Sequence, residues 1–296
     1  MGAIFQSGVG LWQFFTQSAV ASTLMGWAAH PAWAGGASVI ETAGERWLRA
    51  YGGLPHPNVL GGWMAVAIIV ALSLVVAESR PRIRALLLGC LVLLSGGLAV
   101  SFSRSAWIAA TLGVAIGALS APAGARKRYV QSILVVLLAS AAILTPYRSL
   151  LTTRLESTAR LEQQSLLERQ QQYREAWGLI RETGLGTGVG LGQYTLSVAK
   201  NYPGVPVWKI QPVHNVFVLM VAELGVFGGI LIILLSYSFY TLLRRSKNFV
   251  HCSLFTVFVV LALADHYLWS LHGGLLLGGT ISGLLFNNAR DAYRPS

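Results

Sequence analysis

Apolar residues in this chain gather into runs about as long as a bilayer is thick, and a chain patterned that way has few folds open to it. The runs cover 4–28, 59–77, 84–101, 104–121, 130–146, 213–243, 250–269 and 272–288. The first is the least regular, because Gln6, Gln13 and Gln17 interrupt it and an interfacial helix has the same look. Pro81, Pro122 and Gly124 fall in the gaps, where helix breakers belong. The pattern predicts an all-α polytopic membrane protein of about seven to eight transmembrane helices, with residues 1–296 forming a single membrane domain. Only 11% of residues are charged and 54% are hydrophobic, far from the mixture that a soluble domain needs.

The net charge of +11 would suggest nucleic acid as a partner in a soluble protein. Here the cations sit in short gaps between apolar runs, so positive-inside sorting explains them and nucleic acid is not expected. Arg80, Arg82 and Arg84 occupy one gap, Arg126, Lys127 and Arg128 another, and Arg244, Arg245 and Lys247 a third. Placing these gaps in the cytoplasm puts 29–58, the turn at 101–104, the segment 147–212 and the turn near 266–272 on the outer side, with both termini inside. Cys90 and Cys252 fall within apolar runs and read as small buried hydrophobes, with no disulfide or thiolate metal site implied. Met1 to Gly10 lacks the basic region of a cleavable signal.

Segment 147–212 is too long and polar for a plain connection and is expected to form a large outer loop. From about Thr152 to Thr183 its composition favours helix, with Gly184 as the stop. Arg169, Tyr173, Ala176, Trp177 and Ile180 recur at steps that place them on one face. An ordinary surface helix whose arginine snorkels beside Trp177 has the same pattern.

The run from Gly184 to Gly192 has alternating glycines, not the spacing of a dinucleotide or P-loop motif, and a helix precedes it where a strand would be needed. Gly188 and Gly190 supply a tight backbone whose N–H groups suit an anionic or sugar ligand; a plain helix-terminating loop is equally compatible. Arg104 lies between two apolar runs with almost no loop, where a charge is costly and points to function unless it merely snorkels. His214 and Asn215 open a run that later carries Glu223, and an imidazole there suits a general base or a polar cap. His56 and Asn58, in Pro55-His-Pro-Asn58, read as a rigid turn with an asparagine N-cap. Asp265 and His266 precede Tyr267 and Trp269 in a cluster that also suits an interfacial belt. Gly113 and Gly117 fit close helix packing. Topology assigns Arg104, Arg169 and His214 to one outer face, an arrangement suited to transfer from an anionic lipid-linked donor.

These residues resemble the O-antigen ligase and O-antigen polymerase family of bacterial envelope glycosyltransferases. The resemblance rests on Pro55 to Gly62, Ser103-Arg104, Arg169 through Tyr173 and Trp177 to Gly192, His214-Asn215, Glu223-Leu-Gly225 and Asp265 to Trp269, spanning roughly 50–290. It implies a multi-helix fold with a large periplasmic loop, an undecaprenyl-diphosphate-linked oligosaccharide donor, a glycan or lipid A core acceptor, and an inverting, metal-independent transfer without cofactor in the bacterial inner membrane. Carried over by position, Arg104 and Arg169 would hold the diphosphate and His214 would be the base or would position the acceptor. His56, Asn58, Tyr173, Gly188, Gly190, Asn215, Glu223, Asp265 and His266 would support them. Family members usually have several more N-terminal spans, so this chain is expected to be a fragment or a shortened relative. Ligase, polymerase and protein O-glycosylation are not separated by these residues.

A transporter or flippase of lipid-linked sugars is the alternative from another class. Transporters tend to show repeats and polar groups near the membrane midplane. This chain has no convincing repeat, and its polar candidates gather at one face.

Overall fold

The computed structural model describes residues 2–42, 44–156, 160–184, 186–206, 209–245 and 248–291. It is mostly helical, and four helices are long and apolar enough to cross a membrane: those covering Pro57–Ala77, Pro81–Val100, the run that begins at Ala123, and Val226–Arg244. Three shorter apolar helices cover Arg104–Ser120, Phe249–Ala264 and His272–Phe286. The chain divides into two compact units, one of 1–161 with 248–258 and one of 162–247 with 259–296.

The first unit begins with α1 (Gly2–Thr16) and a two-stranded antiparallel hairpin, β1 (Val39–Thr42) and β2 (Glu45–Leu48). This corrects the expected span over 4–28, because α1 has 15 residues and would rise only about 22 Å. The glutamines that break its apolar pattern are used as brackets. Gln13 is buried, donates to the carbonyl of Gly52 at 2.8 Å and accepts from the N–H groups of Tyr51 and Gly52. Gln6 accepts from Gly53 N–H, and Gln17 from Leu48 N–H at 2.7 Å.

Four helices follow: α2 (Pro57–Ala77), α3 (Pro81–Val100), α4 (Arg104–Ser120) and α5 (Ala123–Leu144). α2, α3 and α4 start close to the expected positions, since the proline and serine punctuation ends one helix and starts the next, whereas α5 starts at Ala123 rather than at 130 and takes Arg126, Lys127 and Arg128 into its first turns. α2 packs against α3, α4 and α5 and is the most buried of them. Gly113 of α4 allows close packing as expected, for a Cβ there would lie 2.7 Å from Val257. α5 shows Leu134, Leu137 and Leu138 on its exposed side, an apolar surface suited to lipid rather than water. A 3-10 turn (Thr145–Tyr147) leads into α6 (Arg148–Glu156).

The second unit holds most of α7 (Arg160–Thr183), then α8 (Tyr194–Ala199), α9 (Val216–Leu224) and α10 (Val226–Arg245). α11 (Phe249–Ala264) is shared between the units, and α12 (Tyr267–Ser270) and α13 (His272–Asp291) complete the second. Gly184 has φ of 65° just past α7, the left-handed stop that its position predicts. The expected span 213–243 is corrected: it is broken at Gly225, where φ is 58° and a Cβ would collide with the backbone of Gly186. α9 is therefore a short helix, and only α10 has membrane-crossing length. Ile233, Leu234 and Tyr237 of α10 are exposed, again an apolar surface. Lys247, counted in the third basic gap, lies outside the described residues.

Candidate functional site

Two clusters gather the polar residues singled out from sequence, one in each unit. In the first unit the chain reverses between α3 and α4 through Ser101, Phe102 and Ser103. Phe102 has φ of 46°, a left-handed conformation that a bulky residue adopts only when its surroundings hold it there. Arg154 of α6 does so by donating from Nε to the Phe102 carbonyl at 3.0 Å. Arg49, itself buried, donates from Nε to the Ser101 carbonyl at 2.9 Å and from Nη2 to Asn58 Oδ1 at 2.7 Å. Ser103 caps α4 by accepting from Ala106 N–H, so Arg104 is the first residue of the helix and its Nη1 donates to the Arg154 carbonyl at 3.3 Å.

His56, not Asn58, caps α2, which corrects the expected asparagine cap. Pro57 takes the first helical position, so the capping side chain has to come from the residue before it. His56 Nδ1 accepts from Asn58 N–H at 3.1 Å, and its Nε2 lies 2.9 Å from Ser38 Oγ. Asn58 instead anchors Arg49, so His56 and Asn58 act on the Arg104 turn through the backbone they brace.

Asn215 is the cap of α9 in the second unit, accepting from Phe217 and Val218 N–H. His214 is thereby released from capping, and its Nδ1 lies 2.6 Å from Gln172 Oε1 on α7. With the amide oxygen as acceptor, Nδ1 carries the proton and Nε2 keeps its lone pair. Tyr194 donates from its hydroxyl to the Gln172 carbonyl at 3.1 Å, and Asn215 Nδ2 donates to Tyr173 Oη at 3.3 Å. The His266 ring stands edge-on to that of His214, with centroids 5.1 Å apart. Asp265, just beyond the end of α11, accepts from His266 N–H at 2.8 Å, and His266 Nδ1 is hydrogen-bonded to Ser270 Oγ.

Burial lowers the His214 pKa to about 4; Asp265 opposes this, while the charges on His266 and Arg169 add to it. Burial also lowers the pKa of His266, with Asp265 opposing and Arg169 assisting. Both rings are therefore neutral at neutral pH, within reach of one carboxylate and one guanidinium. The second unit thus brings together Arg169, His214, Asp265 and His266, whereas Arg104 belongs to the first. His214, Asp265 and His266 each offer a ligand atom, all within 4.8 Å of one another, a spacing that a divalent ion could draw together. The Arg169 charge that already acts on both rings works against a cation there.

Glu223 is buried near the end of α9, and its Oε2 accepts from Trp269 Nε1 at 2.9 Å. Both line a cavity of about 550 Å³ together with His266, Tyr194 and Ser270. The glycine run braces this helix end. Val189 N–H donates to the Ala222 carbonyl at 3.0 Å and Gly190 N–H to that of Glu223 at 2.9 Å. A Cβ on Gly188, whose φ is 67°, would lie 2.6 Å from the Glu223 carbonyl. Those two N–H groups are committed to helix termination, the structural alternative open from sequence.

The face predicted on α7 holds for Ala176 and Ile180, which are buried, while Trp177 is 53% exposed and points away. Sequence reasoning missed Gln172, although it stands three residues after Arg169 and four before Ala176, on the same face. Arg49 and Arg154 were missed for want of any local pattern.

Residues 89–233 match the family model described as O-antigen ligase. Neither the curated proteins nor the solved structures provide a match. Arg104, Arg154, Arg169, Gln172, His214 and Glu223 fall inside the matched stretch, and Arg49, His56, Asn58, Asp265 and His266 outside it.

Proposed function

We propose, for a chain that belongs to the O-antigen ligase family through residues 89–233, that it transfers or polymerises an undecaprenyl-diphosphate-linked glycan on the periplasmic face of the inner membrane. The observation that carries this reading is His214, a neutral imidazole whose Nδ1 is tied to Gln172 and whose Nε2 is left to accept a proton. In the reaction an acceptor hydroxyl attacks the anomeric carbon and gives its proton to Nε2. The bond from that carbon to the diphosphate oxygen breaks, and the lipid diphosphate leaves with the electron pair. A single displacement of this kind inverts the anomeric centre, and no metal or cofactor takes part.

A base with a pKa of about 4 suffices because the hydroxyl becomes acidic only as its new bond forms. A diphosphate arriving near Arg169 would also oppose the field that depresses the imidazole. Arg104 and Arg169 are each assigned to donor phosphate, for which a planar guanidinium fork is well shaped. Support for a lipid donor at Arg104 comes from an apolar groove of about 470 Å³ in the same unit, lined by Leu98, Trp107, Thr111, Val136 and Leu144. Trp107 lies one turn beyond Arg104 on α4, so a polyprenyl tail could lie in the groove with its phosphate at the helix start. In the second unit the Glu223 and Trp269 cavity is suited to a sugar, combining a carboxylate acceptor with an aromatic edge.

The test is transfer of a labelled undecaprenyl-diphosphate glycan in membranes containing the full-length protein. Arg104→Ala, Arg169→Ala and His214→Ala should each abolish product. Unchanged transfer in all three would overturn the assignment, and transbilayer movement of the donor without bond formation would favour a flippase.

A further inference from the structure

Within the first unit, a cleft of about 420 Å³ opens between α2, α3 and α5 at the end where α2 finishes and α5 begins. Arg84 in the first turn of α3 and Lys127 and Arg128 near the start of α5 line it. Val75, Leu88 and Val135 form its apolar wall, and Gln131 and Ser132 complete the lining. Among the described residues no acidic side chain lines it. The nearby Glu78 is committed to Arg80, with oxygen and nitrogen 2.9 Å apart. Arg128 Nη1 lies 3.5 Å from the Val76 carbonyl, which seats its guanidinium at the end of α2.

Positive-inside sorting accounts for basic residues in both gaps but not for their meeting. Sorting counts charges near a span and is served as well by Arg80, Arg82 and Arg126, which are not among the residues lining the cleft. Bringing three like charges from two separate gaps to one cleft costs repulsion that an anion would offset. The wall identifies the kind of anion. A free phosphate has no use for Val75, Leu88 and Val135, whereas a phospholipid places a phosphate diester at the mouth and the upper part of an acyl chain along an apolar side.

We propose that this cleft binds the headgroup of an anionic phospholipid from the leaflet bordering the basic gaps, with Arg84, Lys127 and Arg128 around its phosphate. The inference is independent of the transfer reaction. Native mass spectrometry of the full-length protein, released from vesicles of mixed phosphatidylglycerol and phosphatidylethanolamine, should show retained phosphatidylglycerol in preference. Replacing Arg84→Gln, Lys127→Gln and Arg128→Gln together should reduce that preference about tenfold or more. Removing equal charge outside the cleft, through Arg82→Gln, Arg126→Gln and Arg244→Gln, should leave it in place. Equal loss in both variants would reduce the effect to general surface charge and overturn the proposal, as would full retention in the cleft variant. Displacement of the lipid by inorganic phosphate alone would make this a free-anion site and overturn the lipid assignment. Should the triple variant fail to fold, photoactivatable phosphatidylglycerol on the unaltered protein decides. Labelling at the peptides holding Leu88 and Val135 supports the cleft, and labelling confined elsewhere overturns it.

Discussion

The Arg104 turn and the His214 cluster fix their polar side chains in different ways. In the turn, Arg49, Arg104 and Arg154 donate to the backbone carbonyls of Ser101, Arg154 and Phe102, so each guanidinium is oriented by main chain. Around His214 the two imidazoles are kept neutral by burial, beside the Asp265 carboxylate and the Arg169 guanidinium, and a side-chain amide sets which ring nitrogen of His214 holds the proton. The first arrangement aims guanidinium groups through backbone carbonyls. The second keeps a lone pair on a neutral imidazole beside the Arg169 guanidinium, so the turn suits holding an anion and the cluster adds a proton acceptor to an anion contact.

The sharpest way to break that contrast is to remove the lone pair. His214→Ala is expected to lower transfer by about a thousandfold, within the range that a positioned base contributes, as read by initial rates of labelled product. Next in size, Gln172→Leu leaves the imidazole present but frees its tautomer, and should lower kcat by about ten- to a hundredfold with little change in KM. A matching change in the turn is Arg154→Ala, which releases the Phe102 carbonyl. About a tenfold rise in the donor's KM, with kcat preserved, would show that this arginine positions Arg104 rather than reacting itself.

The smallest effect is in pH. A folded pKa near 4, below the usual value of about 6.5, means that the unfolded chain binds the proton first as pH falls. Stability attributable to His214 is therefore present above pH about 6.5 and declines between there and about 4. In the free enzyme, kcat/KM should stay flat through pH about 6.5 and fall only toward about 4; a midpoint near 6.5 would place His214 in a wetter site than the one described.

How much of this was readable in advance differs between the regions for physical reasons. α2, α3 and α4 start close to where the apolar runs start, because a bilayer-length run between proline, serine and basic punctuation leaves few choices, whereas α5 begins at Ala123, ahead of the run expected from 130, because its basic first turns are helical too. The span over 4–28 was misplaced because a glutamine that interrupts a helix and one that brackets a loop look alike until the loop is present. The break at Gly225 was hidden for a similar reason: glycine is common in membrane helices, and only the backbone of Gly186 against it makes the bend obligatory. Within the candidate site, Arg169 stood out by its helical spacing to Tyr173, Ala176 and Trp177, and His214 by its place at the start of an apolar run. Gln172 carries no charge, and Arg49 and Arg154 reach their carbonyls across more than 50 residues of chain, which no spacing rule registers.

The division of labour itself is most directly tested by separating binding from bond formation. Retention of labelled undecaprenyl diphosphate should be measured on membranes carrying the unaltered protein, His214→Ala or Arg104→Ala, beside transfer by the same preparations. His214→Ala is predicted to retain the lipid as well as the unaltered protein while forming no product, and Arg104→Ala to lose retention. If His214→Ala releases the lipid while Arg104→Ala holds it, or if both lose it equally, the assignment of the proton step to His214 and of lipid retention to Arg104 is contradicted.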